Sequence, residues 1–141
     1  MSCAHKLSVI IALAAVLFVR SPVMAQKPSA EDAVKQDLNN YAMIVAGYQV
    51  DGRCQILAAS QRTEYASHTA IIRRAFVVLG LDDHALAEIA ERARVAADNK
   101  AFQNCDAKTA ETVERLGVLT QKMSVKLADW LADNDRTKKI Q

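Results

Sequence analysis

Residues 105–131, CDAKTAETVERLGVLTQKMSVKLADWL, carry the clearest periodic pattern in the chain. The larger side chains recur at alternating intervals of three and four residues, which is the spacing of one face of an α-helix. This face consists of Val113, Leu116, Thr120, Met123, Leu127 and Trp130. The pattern predicts a helix over residues 106–131 and a frayed polar tail over residues 133–141.

Three further amphipathic patterns precede this helix. They predict helices over residues 30–46, 61–79 and 83–98. Glycine and proline are scarce, with 4 and 2 residues in a chain of 141, which argues against a β-sandwich with many tight turns. We therefore expect an all-α domain over residues 26–141. The simplest packing is a four-helix up-down bundle, and the alternative is an irregular array with the last helix at its centre.

The predicted helix ends depend on a few capping and helix-terminating residues. Ser29 and Ser60 are good N-caps for the first and second helices. Gly47 and the pair Asp51–Gly52 are expected to end the first helix, and Gly80 is expected to end the second in the left-handed conformation.

The buried faces of these helices follow from the same spacing. The first is predicted to bury Val34, Leu38, Tyr41, Val45 and Tyr48. The second is predicted to bury Tyr65, His68, Ile72, Phe76 and Leu79, with Ile71 and Ala75 alongside. The third has a thin, alanine-rich face made of Leu86, Ile89, Ala90 and Ala93, which lets helices approach closely.

Residues 1–25 have the layout of a Sec-type signal peptide. Lys6 gives a basic start, residues 7–19 are an unbroken apolar run, and residues 23–25 end in the small-residue pattern of a cleavage site after Ala25. A membrane anchor is the alternative, but a spanning helix needs about 20 apolar residues. We expect a periplasmic or secreted protein with no stable membrane insertion after cleavage.

The charge balance excludes one class of partner. The predicted signal peptide holds two basic residues and no acidic ones, so the 18 basic and 16 acidic residues of the full chain become 16 of each. A nucleic-acid-binding protein normally shows a basic patch, and no strong one is present in the sequence. We therefore expect no nucleic-acid partner.

Cys54 and Cys105 remain after removal of the signal peptide, and Cys3 leaves with it. Two cysteines in an exported helical chain predict one structural disulfide. In an up-down bundle, the starts of the second and fourth helices lie at the same end, which permits a bond if the two Cα atoms come within about 7 Å. Free or intermolecular thiols, or a metal site, are the alternatives.

Residues 48–54, YQVDGRC, are predicted to be a loop next to the first cysteine. Tyr48, Asp51 and Arg53 make it a candidate recognition loop, because a loop held by a disulfide can present side chains to a partner. The alternative is a simple helix connection whose apolar side chains cover one end of the bundle.

The sequence contains little that indicates a catalytic site or a cofactor-binding site. His68 lies on the apolar face of the second helix, where a core-edge histidine is the simpler interpretation. His84 follows Asp82 and Asp83, which helix capping explains without a metal. No covalent haem motif, paired glutamate–histidine motif or phosphate-binding loop is present. We predict no catalytic residue, no metal and no cofactor.

The surroundings of the two cysteines, Arg53–Cys54 and Asn104–Cys105–Asp106, resemble small periplasmic acid-stress chaperones of the HdeA type. Those proteins also carry a signal peptide, are helical and contain one long-range disulfide. The resemblance implies an apolar surface that becomes exposed in acid, and it assigns no role to any other residue.

The sequence favours a small, non-enzymatic exported helical protein that acts through protein–protein contacts, with a stress or chaperone-like role among the options. A helical binding module for a small apolar ligand is the first alternative. An enzyme with an unrecognised site is the second.

Overall fold

The computed structural model describes residues 29–99 and 103–138, which form four α-helices. The helices are α1 (Ala30–Cys54), α2 (Ala59–Val78), α3 (Asp83–Ala97) and α4 (Ala107–Lys138). The all-helical prediction is confirmed. None of these four helices is long and apolar enough to cross a membrane. The predicted signal peptide and residues 139–141 lie outside the described residues.

Helix α1 is eight residues longer than predicted, because Gly47 and Asp51–Gly52 do not end it. Its N-terminus is capped as predicted, with the Ser29 side chain accepting the Asp32 N–H at 3.1 Å. It ends instead at Gln55, whose φ of 51° is left-handed and whose N–H donates to the Asp51 carbonyl.

The other helix ends differ by smaller amounts. The N-cap of α2 is Ala58 rather than Ser60, and it provides no side-chain acceptor. Gly80 has a φ of 90°, as predicted, and the following Leu81 N–H donates to the Phe76 carbonyl in the usual closing geometry. Helix α4 continues to Lys138, seven residues beyond its predicted end at residue 131.

Helix α1 is the central element of the described fold, since it packs against all three of the others. Helices α1 and α4 run antiparallel. Three contacts define this direction: Asp37 with Lys126, Gly47 with Leu116, and Cys54 with Cys105. Helix α2 packs on both α4 and α1. Among the described helices, α3 packs mainly on α1. The alternative with the last helix at the centre is therefore not what the structure has.

The hydrophobic core follows most of the predicted faces. Its largest fully buried apolar side chains are Phe76, Ile44, Ile72, Leu86 and Val113. Ile44 is buried although it was not on a predicted face. Four residues that were predicted to be buried are exposed: Val34, Tyr48, Ile71 and Leu79.

Candidate functional site

A cleft of about 590 Å³ lies between α1, α3 and α4, and we call it the apolar cleft. Helix α1 contributes Ala42, Met43, Ala46, Gly47 and Val50 to it. Helix α3 contributes Ala93, Ala96 and Ala97, and the α4 side contributes Asp106, Lys108, Thr109, Thr112, Val113 and Leu116.

The cleft exists because α3 packs on α1 with small side chains and leaves α4 on the far side. Ala93 and Ala97 are buried against α1, and Ala46 and Gly47 present little side-chain volume towards the opening. Removing side-chain volume at a helix junction leaves a lined space rather than a filled core. The cleft is therefore apolar on its α1 and α3 walls.

The polar side chains of the cleft all belong to the first turns of α4. The Asp106 carboxylate accepts the Thr109 N–H at 2.8 Å, and this hydrogen bonding lowers the pKa of Asp106. The Thr109 hydroxyl donates to the Asn104 carbonyl, and the Thr112 hydroxyl donates to the Lys108 carbonyl. Both hydroxyls therefore have local partners, and the charged lining residues Asp106 and Lys108 are confined to the α4 side of the cleft.

The disulfide lies next in the chain to Asp106, which lines the apolar cleft. Cys54 is the last residue of α1, and Cys105 lies two residues before α4 begins. Their Cα atoms are 5.4 Å apart and the sulfurs are at bonding distance. The predicted pairing is thus present, but Cys54 lies on a helix and not in the loop that the sequence suggested.

The candidate recognition residues are also helical, which corrects the prediction of a loop. Tyr48 is 38% exposed and its ring lies 5.5 Å from that of Tyr65. Asp51 is fully buried, where it accepts the Leu57 N–H at 2.7 Å and pairs with Arg62 at 2.6 Å. These side chains hold α1 against α2 and do not form one exposed surface.

Arg53, the third candidate, points to α3 instead. Its guanidinium pairs with Asp98 at 3.0 Å and donates to the Ala97 carbonyl at 3.3 Å. It thereby holds the end of α3 beside the end of α1, next to the disulfide.

The two histidines lie apart from the apolar cleft. His84 is exposed, 3.6 Å from Glu88. His68 is half-buried, and its Nδ1 lies 2.7 Å from the hydroxyl oxygen of Ser124, which is buried and also lies 2.9 Å from the Gln121 carbonyl. A serine buried in this way is not accessible as a nucleophile, so the pair links α2 to α4.

A second, more polar cavity of about 300 Å³ lies between α2 and α4 beside His68. Its polar lining consists of Gln61, Glu64, His68, Glu114 and Gln121. Within residues 29–99 and 103–138, no three histidine, cysteine, aspartate or glutamate side chains are grouped closely enough to hold a metal ion.

Sequence reasoning missed most of the apolar cleft. Its signal is the recurrence of small residues at intervals of four, as in Ala42, Ala46 and Val50 on α1 and Ala93 and Ala97 on α3. That spacing indicates a face without large side chains. It does not reveal which helix lies opposite, and the cleft depends on that neighbour.

No family model matches this chain, and comparison with curated proteins and with solved structures finds no significant match.

Proposed function

We propose that the mature chain is an exported, non-enzymatic helical protein that binds a small apolar ligand in the cleft between α1, α3 and α4. The cleft itself carries this proposal. Its volume of about 590 Å³ is in the range of small-molecule sites, roughly 300–1,000 Å³. Its α1 and α3 walls are apolar, and the threonine hydroxyls on the α4 side already have partners.

Export to the periplasm or beyond is part of the proposal. Residues 1–25 support it through their basic start, apolar run and small-residue cleavage pattern. The Cys54–Cys105 bond is compatible with it, because disulfides persist in oxidising compartments.

We describe the working fold as an up-down bundle that is open on one side. The antiparallel contacts of α1 with α4, and the position of α3 on α1, support this description. The open side is the apolar cleft, which lies between α3 and α4.

A substitution that fills the cleft tests ligand binding directly. Ala96 is exposed at the cleft and Ala87 is exposed elsewhere on the same helix, so Ala96→Phe and Ala87→Phe form a matched pair. The fluorescent apolar probe N-phenyl-1-naphthylamine is titrated against each protein. We expect Ala96→Phe to bind it at least about tenfold more weakly than wild type and Ala87→Phe to bind it equally.

Equal binding by both variants, or no binding by the wild type, would refute the proposal. Mass spectrometry of the purified protein under native conditions adds an independent measurement. A protein that retains a natural ligand should show an adduct that Ala96→Phe loses.

A second candidate function is contact with a protein partner, and one observation favours it. The C-terminal half of α2 and its C-cap Leu79 expose Ile71, Val77, Val78 and Leu79 to between 37% and 50%. Apolar groups exposed together often mark an interaction site. In the chaperone-like version, a dye that reports apolar surface should bind more strongly at about pH 2–3, where acid-expanded states form, than at neutral pH.

The variants Val78→Lys and Ala87→Lys separate this candidate from ligand binding. If α2 is a protein-contact surface, only Val78→Lys should abolish prevention of aggregation of an acid-denatured client protein. If neither variant changes it, α2 is not such a surface.

A further inference from the structure

The α4 wall of the apolar cleft begins directly after the disulfide. Asp106, Lys108, Thr109 and Thr112 line the cleft from the first turns of this helix. Val113 is the first residue of α4 that is buried, with 1% exposure. Val113 and Leu116 also line the cleft, and both pack in or against the core, so the part of the wall that the core does not hold is the part before Val113.

The hydrogen bonds of segment 103–112 are local. They run from Thr109 to Asn104, from Thr112 to Lys108 and from Gln103 to Asp98 at the end of α3. The Asp106 carboxylate and the hydroxyls of Thr109 and Thr112 have their partners within residues 104–112. The Cys54–Cys105 bond is the covalent link that joins this segment to the end of α1.

The opposite wall has its own attachment. Arg53 holds Asp98 and the Ala97 carbonyl, so the end of α3 stays on α1 without help from the disulfide. Breaking the disulfide would therefore release the first part of the α4 wall, residues 106–112, and leave the α3 wall in place.

We propose that the disulfide controls the apolar cleft: binding requires the oxidised bond, and reduction releases segment 106–112 and abolishes it. This proposal rests on the proposed function, since it concerns the same cleft. Cys105 is exposed and Cys54 is half-buried, so a reductant can reach the bond.

The chemistry is thiol–disulfide exchange with a dithiol. A thiolate of the dithiol attacks one sulfur, the S–S bond breaks, and a mixed disulfide forms. The second thiol of the reductant then displaces the protein sulfur. The protein gains two electrons and two protons as two thiols, and the dithiol becomes a disulfide.

Hydrogen–deuterium exchange tests the positional claim without any ligand. The full chain is measured oxidised and after reduction with dithiothreitol. We expect the amides of residues 106–112 to exchange about tenfold faster or more after reduction, and those of residues 119–127 to be unchanged. No increase, or an equal increase in both segments, would overturn the proposal.

Probe binding tests the functional claim. The double variant Cys54→Ser/Cys105→Ser is compared with Leu127→Ala, which weakens the core far from the cleft and keeps the disulfide. We expect the double variant to lose affinity for N-phenyl-1-naphthylamine by about tenfold or more, and Leu127→Ala to keep it. Equal affinity in the double variant and wild type, or an equal loss in Leu127→Ala, would contradict control by the disulfide.

The two measurements separate the proposals. If the oxidised wild type binds no probe, the proposed function fails, and control of binding fails with it. Faster exchange confined to residues 106–112 would still show that the bond positions this wall.

Discussion

A methyl group at Gly47 would meet two side chains at close range. The added Cβ would lie 2.6 Å from Leu116 Cδ1 and 2.9 Å from the Tyr65 hydroxyl oxygen. That hydroxyl is held in place because it donates to the Ile44 carbonyl at 2.8 Å. Gly47 therefore lets α1, α2 and α4 approach one another, and its place in the middle of a helix is explained by packing rather than by a helix end.

Gly47→Ala should destabilise the protein by about 1–3 kcal/mol, because overpacking outweighs the gain in helix propensity. Gly52→Ala is the matched control. It lies in the same helix, and nothing lies within 4 Å of its added Cβ. The control should stabilise the protein by up to about 1 kcal/mol. Urea unfolding measures both, and a stabilising Gly47→Ala would contradict the packing described here.

Asp51 is the buried charge on which the α1–α2 connection depends. Asp51→Ala would leave the Leu57 N–H and the Arg62 guanidinium without their acceptor. We expect a loss of about 3 kcal/mol or more in the free energy of unfolding. Asp98→Ala, which removes an exposed partner of Arg53, should cost about 1 kcal/mol or less. Similar losses in both variants would argue against a special role for Asp51.

At the scale of the helices, the spacing of apolar residues predicted the number and type of elements correctly. The residues taken as signals of a helix end misplaced several of the helix ends. Gly47 and Asp51–Gly52 have the composition of a turn, yet tertiary contacts bury both Gly47 and Asp51 inside α1. Gly80 was placed correctly, because a left-handed φ is a local property that glycine satisfies by itself.

The start of α2 provides a test of helix capping. Ala58 is the N-cap, with extended backbone dihedrals and no side-chain acceptor. Ala58→Asp should accept a free N–H of the first turn and stabilise the protein by about 1 kcal/mol. Ala66→Asp, at an exposed position inside the same helix, is the control and should not stabilise. Thermal unfolding compares the two, and no gain for Ala58→Asp would contradict this cap assignment.

For the whole molecule, the sequence predicted the composition of the core better than it predicted the apolar cleft. Side chains such as Phe76 and Leu86 are buried against almost any helical neighbour, so their spacing suffices. The cleft depends on α3 packing against α1 and not α4, which is a property of the assembly. The disulfide was predictable because Cys54 and Cys105 are the two cysteines outside the predicted signal peptide.

Because two tyrosines are buried, the free energy of unfolding should decrease at alkaline pH. Burial raises the pKa of Tyr65 to about 12 from its ordinary 10.0, and burial also raises the pKa of Tyr41. The fold therefore favours the neutral phenols. This contribution is complete below the unfolded pKa of about 10 and is lost as the pH rises through the folded pKa of about 12.

We expect the free energy of unfolding to fall by roughly 2–3 kcal/mol through Tyr65 as the pH rises from about 10 to 12. Tyr65→Phe should be less stable at neutral pH, by about 1 kcal/mol, because the hydrogen bond to Ile44 is lost. The same variant should show a shallower alkaline loss in urea titrations. Identical pH profiles for wild type and Tyr65→Phe would contradict this assignment.

The antiparallel alignment of α1 and α4 also constrains how the gene can change in length. Ten residues of α1 separate Asp37 from Gly47, and ten residues of α4 separate their partners Leu116 and Lys126. Deleting one residue between them would turn the following helix by about 100° and shift it by about 1.5 Å. Asp37 or Gly47 would then lose its partner, so length variation among related genes should be confined to the connections between helices.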